Sequence, residues 1–272
     1  MDKRPIGVFD SGLGGLSVVR ELVAQLPDEH IVYFGDTGRV PYCSRSREII
    51  EKYARQDCRF LLSKDVKMVI AACGTVSSVA PQVLASLPIP AMGVVEAPAA
   101  AAVAATKNGK IGVIGTAATV GSGAFAAAIE RLRPDATVVQ TACPLFVPLV
   151  ENGWIEPDNE VTLATAKRYL EPMKAQGIDT LILGCTHFPL LAPIIGRVMG
   201  EGVTLIDTGR ETARACAAYL RQTDALNASD TPAVRQFFVS DRPVDFSNVA
   251  GVFLGDGICE TVQTVSMDAA EE

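Results

Sequence analysis

The chain has 272 residues, of which 49% are hydrophobic and 20% charged, a balance that excludes a disordered or fibrous protein and leaves room for about two domains at ~150 residues each. Asp and Glu number 31 against 24 Lys and Arg, a formal net charge of -7, and no basic block offsets it, so nucleic acid is not an expected partner. The longest apolar run, APAAAAVAA at 97–105, falls well short of the ~20 residues that cross a bilayer, so no membrane partner is expected either.

The amino-terminal residues MDKRPIGVFDSG pass from two basic residues into a strand-like run without a hydrophobic signal segment, which predicts a cytoplasmic protein. Only nine residues precede Asp10, leaving little room for a regulatory extension. The β-rich runs IGVFD at 6–10, IVYFGD at 31–36, VKMVIAAC at 66–73 and AMGVVE at 91–96 predict strands, each followed by a helical pattern. Between the second and third, Ile49, Ile50, Tyr53, Ala54 and Leu61 recur at helical spacing, with Glu48, Lys52, Arg55 and Arg59 on the other face, as in an amphipathic crossover helix. Pro98 opens an Ala-rich helix that stops near Asn108-Gly109.

Strand and helix continue to alternate through KIGVIGT at 110–116, TVVQTAC at 137–143, TLILGC at 180–185 and VTLIDT at 203–208. This pattern predicts an α/β protein with doubly wound parallel sheets. An internal repeat organises it, because PIGVFDSG from Pro5 matches KIGVIGTA from Lys110, and MVIAACGT from Met68 matches TLILGCTH from Thr180. A helix over 211–221 leads into the polar segment 223–232, and the runs at 234–241 and 249–256 read as further strands or returning elements. The expected organisation is two pseudo-symmetric domains, 1–96 joined by 209–265 and 97–208, with the active site in the cleft between them.

Three places carry chemistry. FDSGLGG at 9–15 ends a strand in Asp10-Ser11 and supplies glycines for a tight turn with exposed amides, suited to an anion such as a carboxylate. It lacks the P-loop Lys and the full dinucleotide fingerprint. The other two are Cys73 and Cys185, which close matching strands of the repeat. There each thiol is expected at the sheet's carboxyl edge, facing a helix start that favours thiolate. Two sulfurs converging on one cleft suit inversion at carbon, where one base removes a proton and a conjugate acid delivers another to the opposite face. Asp10, at the end of the neighbouring strand run, and His187, two residues past Cys185, are expected to hold or relay protons at each sulfur. The seven Cys contain no Cys-x-x-Cys, and neither His30 nor His187 has a metal-ligand neighbour three or four residues on, so neither a disulfide framework nor a metal is expected.

GVFDSGLGGLSV, YFGDTGRVPYCSRS, VIAACGTVSS, VPLVENGW and LILGCTHFPLL together resemble the glutamate racemases of the cofactor-independent aspartate/glutamate racemase family, over nearly the whole chain from Ile6 to about Thr261. The resemblance implies two pseudo-symmetric α/β domains, no cofactor, a homodimer and supply of D-glutamate for peptidoglycan. It implies Cys73 and Cys185 as the acid/base pair, assisted by Asp10, Glu151 and His187, with substrate contacts from Asp10, Ser11, Tyr42, Cys43, Gly74, Thr75, Thr186 and His187. The sequence departs from that family at Cys73-Gly74-Thr75, where Cys-Asn-Thr is common, at Pro41-Tyr42-Cys43, where Pro-Tyr-Gly is usual, and at Gly38, a common Ala. Three alternatives stay open. One is a racemase of aspartate or another acidic amino acid, although Thr186-His187 follows the second thiol where aspartate racemases resemble Cys-Thr-Glu. Another is a cysteine hydrolase using Cys185 and His187, although residues i and i+2 at a strand end are not expected to face each other and Cys73 is left without a role. The third is a non-catalytic amino-acid-binding protein.

Overall fold

The computed structural model describes residues 1–228, 231–241, 246–254 and 262–267. Its first lobe runs β1 (Ile6–Asp10), α1 (Leu16–Gln25), β2 (Ile31–Gly35), α2 (Arg47–Leu62), β3 (Met68–Ala71), α3 (Gly74–Val79), α4 (Pro81–Ala85) and β4 (Ala91–Gly93). The chain then builds a second lobe from α5 (Glu96–Ala105), β5 (Lys110–Gly115), α6 (Ala117–Ser122), α7 (Ala124–Leu132), β6 (Thr137–Ala142), α8 (Phe146–Glu151), α9 (Glu160–Lys174), β7 (Thr180–Leu183), α10 (Ala192–Met199) and β8 (Thr204–Asp207). It returns through α11 (Thr208–Gln222), β9 (Arg235–Val239), α12 (Phe246–Leu254) and β10 (Val262–Thr264).

All strand pairs described are parallel. One sheet has the order β10-β9-β2-β1-β3-β4 and the other β6-β5-β7-β8. The segment β2-β1-β3-β4 therefore has the same order as β6-β5-β7-β8, and the sequence repeat aligns β1 with β5 and β3 with β7. The second sheet keeps only this shared part, whereas the first gains β9 and β10 from the end of the chain.

Parallel strands covered on both faces need apolar side chains on both, and every residue of β1 is buried. Ile6 and Val8 point into a core shared with Leu16, Val18 and Val19 of α1, while Phe9 packs on the opposite face with Ile50, Ala54 and Leu61 of α2. The first of these cores also takes in Leu181 and Leu183 of β7 and Phe188, so apolar packing is continuous between the lobes. Buried Lys67, 2.6 Å from Glu29, closes the end of the first lobe away from the strand tips by donating to the carbonyls of Asp2 and Ala225.

Several strands are shorter than their sequence patterns predict. β3 ends at Ala71 and β7 at Leu183, because Ala72 and Gly184 make the last sheet hydrogen bonds, to the carbonyls of Phe9 and Ile114. Cys73 and Cys185 thus lie beyond the sheet edge, at the turns into the next helices. The run 249–256, read as a further strand or a returning element, is helical as far as Leu254 and packs on α1. Its last two residues lie outside the described part, and its small and apolar residues cover a helix rather than extend a sheet.

Candidate active site

The carboxyl ends of β1, β3, β5 and β7 open on one cavity of about 260 Å³ between the two sheets, below the ~300–1,000 Å³ typical of drug-sized ligands and suited to a small metabolite. All eleven residues singled out from the sequence line it: Asp10, Ser11, Tyr42, Cys43, Cys73, Gly74, Thr75, Glu151, Cys185, Thr186 and His187. Gly12, Val40, Pro41, Thr116, Val147 and Gly184 complete the wall without having been singled out. Thr116 was legible, since it holds the place in the repeat that Ser11 holds in the first lobe.

The glycine turn after β1 is fixed from within its own lobe. Tyr33 donates its hydroxyl proton to the Gly12 carbonyl at 2.8 Å, and Asp10 accepts from the Gly12 amide at 3.0 Å. Asp10 is buried, and burial pushes its carboxyl up from the ordinary carboxylate range against the opposing pull of His187 and of the Gly15, Gly12 and Ser11 amides. Two glycines mark where the lobes meet. A Cβ on Gly14 would lie 2.3 Å from Thr186 Oγ1 and 2.5 Å from His187 Cε1, and one on Gly74 would lie 2.5 Å from the Gly184 carbonyl oxygen. At this separation of the lobes no side chain fits at position 74, so the glycine there does more than remove an amide: it admits the backbone of the other lobe. Thr75 and Thr116 add a cross-lobe hydrogen bond of 3.1 Å between their hydroxyls.

The two thiols have different neighbours. Cys73 Sγ lies 3.3 Å from Ser11 Oγ. Burial and the charge of Asp10 push its thiol up to about 12, overturning the expectation that the helix start at Gly74 would favour thiolate; the Ser11 and Val76 contacts are too weak to reverse desolvation. Cys185 Sγ lies 3.7 Å from His187 Nδ1, whose ring also approaches Thr186 Oγ1 at 3.3 Å and donates from Nε2 to Glu151 Oε1 at 3.1 Å. Phe253 of α12 packs at right angles to the same ring, 5.2 Å between centroids. Burial works against a charged imidazole, yet hydrogen bonds to Cys185 and Glu151 outweigh it and push His187 up to about 10. Cys185 and His187 therefore do face each other, contrary to expectation, because the backbone leaves the extended conformation after Leu183 and is helical at His187.

Cys43 is exposed at the cavity mouth, and burial of part of its surface together with nearby Cys185 raises its thiol. The segment carrying it is anchored by side chains the sequence did not single out: Asp36, Arg39 and Asp57 around Tyr42. The other described cysteines, Cys58, Cys143 and Cys216, are free and buried. Among the described residues no cluster of His, Cys, Asp and Glu could hold a metal ion, and no helix is long and apolar enough to cross a membrane.

Two parallel α/β lobes each present a thiol, just past an equivalent strand, to a shared cavity of a size for a small molecule. The chain belongs to the Asp/Glu/Hydantoin racemase family, whose model matches residues 6–216. It is 45% identical over 273 residues to the glutamate racemase of Geobacter metallireducens, covering 100% of both chains, and 48% identical over 267 residues to that of Neisseria meningitidis serogroup A, covering 97% of each. A crystal structure of glutamate racemase from Francisella tularensis in complex with D-glutamate superposes with a TM-score of 0.91 at 36% identity, covering 99% of this chain and 100% of that one.

Proposed function

We propose that this protein interconverts L- and D-glutamate by a cofactor-independent two-base mechanism, with Cys73 and Cys185 as the acid–base pair. The observation that carries the reading is the placement of the two sulfurs at the ends of β3 and β7, on one cavity and close enough for the charge of one to act on the other. One sulfur, as thiolate, takes the Cα proton while the other, as thiol, gives its proton to the opposite face of the same carbon; the electron pair left by the first transfer forms the new C–H bond. Cys73 rests as the thiol, given the burial and the carboxylate beside it. Cys185 stands beside an imidazole held protonated by its own sulfur and by Glu151. After each turnover the two sulfurs have exchanged roles, and Asp10 and His187 serve the return of the protons.

The hydroxyls of Ser11, Thr75 and Thr186, with the amides of the glycine turn, are the groups suited to hold the carboxylates and the ammonium of the substrate. The complex of the Francisella protein with D-glutamate and the names of the curated relatives support glutamate as the substrate. We extend the reading to D-glutamate supply for peptidoglycan biosynthesis, a cytoplasmic homodimer and the contact roles of Tyr42, Cys43 and Gly74, all carried over from the family resemblance.

The test is to incubate the protein with each enantiomer in deuterated water, following the Cα proton by NMR and optical activity by circular dichroism. Exchange with loss of optical activity from both enantiomers, abolished by Cys73→Ala and by Cys185→Ala, supports the reading. Exchange of aspartate but not glutamate moves the substrate and makes Cys43 the first residue to replace.

One observation favours a second reading. Cys185, His187 and Glu151 are aligned in the order of a nucleophile, its base and the group orienting that base, which is the arrangement of a cysteine hydrolase. That reading leaves Cys73 idle, and turnover surviving in Cys73→Ala would support it.

A further inference from the structure

Four side chains, three of them buried and Arg39 partly exposed, hold the segment that brings Tyr42 and Cys43 to the cavity. Asp36 follows β2, Arg39 and Tyr42 lie in the segment itself, and Asp57 comes from α2. The Arg39 guanidinium donates from Nε to Asp36 Oδ2 at 2.6 Å and from Nη2 to Asp57 Oδ1 at 2.9 Å, and it lies 4.1 Å from the centre of the Tyr53 ring. The Tyr42 oxygen touches Asp36 Oδ2 and lies 3.1 Å from Asp57 Oδ2. Both aspartate side chains are fully buried.

Counting protons in this cluster gives a result that the distances alone do not. A phenol carries one proton, yet its oxygen meets carboxylate oxygens on both sides. If both aspartates were ionised, one contact would set lone pair against lone pair, and two negative charges would face the single positive charge of Arg39 away from water, a costly arrangement. One further proton removes both problems: the cluster becomes neutral and every contact has a donor.

The pattern of contacts places that proton. Asp36 Oδ2 receives both the Arg39 Nε–H and the Tyr42 hydroxyl, and its other oxygen has no partner, so its charge is met through one atom acting as a double acceptor. Asp57 meets Arg39 through Oδ1 and leaves Oδ2 free to carry a proton toward Tyr42. We infer that Asp57 is a neutral carboxylic acid that donates to Tyr42, and that it is a positioning residue for the Tyr42–Cys43 wall of the substrate cavity. Burial and the facing charge of Asp36 hold the Asp57 carboxyl well above the usual range, in the same direction. The titratable groups acting on it are Asp36, Arg39 and Tyr42, with Asp10 beyond them, and Cys58 occupies the next position on α2.

The activity arm of the test rests on the racemase reading, whereas the spectroscopic arm does not. Infrared difference spectra of wild type against Asp57→Asn at neutral pH should show a protonated-carboxyl C=O stretch that the variant loses. In Asp57→Asn the amide can accept from Arg39 and donate to Tyr42, so kcat/KM for glutamate should stay within about threefold of wild type. Asp57→Leu supplies neither bond and should raise KM by about tenfold or more with a smaller change in kcat. Asp36→Asn removes the ionised partner and should be the more damaging of the two amide substitutions. The inference is overturned if the band is absent from wild type, if Asp57→Asn is as damaging as Asp57→Leu, or if Asp36→Asn is tolerated while Asp57→Asn is not. Should Asp57→Leu fail to fold, the infrared spectra and the contrast between the two amide variants still decide; should wild type prove inactive on glutamate, the infrared band alone does.

Discussion

Cys73 and Cys185 end equivalent strands of the two lobes, but the groups beside them come from different places in the repeat. In the first lobe the partners are Asp10, the last residue of β1, and Ser11 just after it; the matching positions at the end of β5 are Gly115 and Thr116. In the second lobe the partner is His187, two residues past the thiol, where the first lobe has Thr75. One sulfur thus sits beside a buried carboxylate and the other beside an imidazole held protonated by Glu151. The lesson is that the repeat supplies symmetry of position while the residues that differ between its halves set the charge. A reaction needing one acid and one base at the same instant calls for that combination: reach from both faces and unlike surroundings on each.

The comparison can be broken most forcefully at the sulfurs. Cys73→Ala and Cys185→Ala should each lower turnover by about 10³-fold or more, since each removes the group proposed to exchange a proton with Cα on its side. Equal and large losses support symmetric necessity; a modest loss in Cys73→Ala alone would leave a single-thiol enzyme.

A smaller effect is expected from the neighbours. Asp10→Asn and His187→Asn should each reduce kcat/KM by about 10²-fold. The two enantiomers are equal in free energy, so kcat/KM must fall equally in both directions, and the inequality of the lobes should appear in kcat and KM taken separately. Identical kcat changes for L- and D-glutamate in both variants would show that the two neighbours are interchangeable.

The charge on His187 also links to stability. Its folded value of about 10 lies above the ordinary 6.5, so the stabilisation from holding that proton is complete below about pH 6.5 and is lost as pH rises through about 10. In thermal melts across this window wild type should lose more stability than His187→Asn; parallel curves would mean that the imidazole is not held protonated. The smallest effect belongs to the seam between the lobes. Thr75→Val removes a hydroxyl contact of 3.1 Å and should cost about 0.5–1.5 kcal/mol, read as a drop of a few degrees in melting temperature.

The legibility of this molecule from its sequence follows the same division. Features repeated at matching offsets were readable: the alternation of strands and helices in parallel sheets and the two thiols just past equivalent strands. Most strand ends read one to three residues too long, because small apolar residues such as Ala72 and Gly184 continue the pattern after the strands have ended. Features unique to one lobe were harder to see. Glu151 meets His187 across 36 residues of chain, and only the family resemblance named it. Asp36, Arg39 and Asp57 look like ordinary surface charges on a loop and a helix; what makes them a buried cluster is the approach of α2 to the segment after β2, which no local spacing encodes. The run at 249–256 has the β-rich composition of a strand, and its helix is decided by the face of α1 that it covers.

The most direct test of two thiols acting from opposite faces is the fate of hydrogen in the first turnovers in deuterated water. If one sulfur removes the Cα proton and the other supplies a solvent-derived deuteron, the product enantiomer should carry deuterium from the start while unreacted substrate stays protonated, starting from either enantiomer. Deuterium appearing as fast in the unreacted substrate, or product that keeps the substrate's own hydrogen, would contradict the account, because both results require a single group to take the proton and return it.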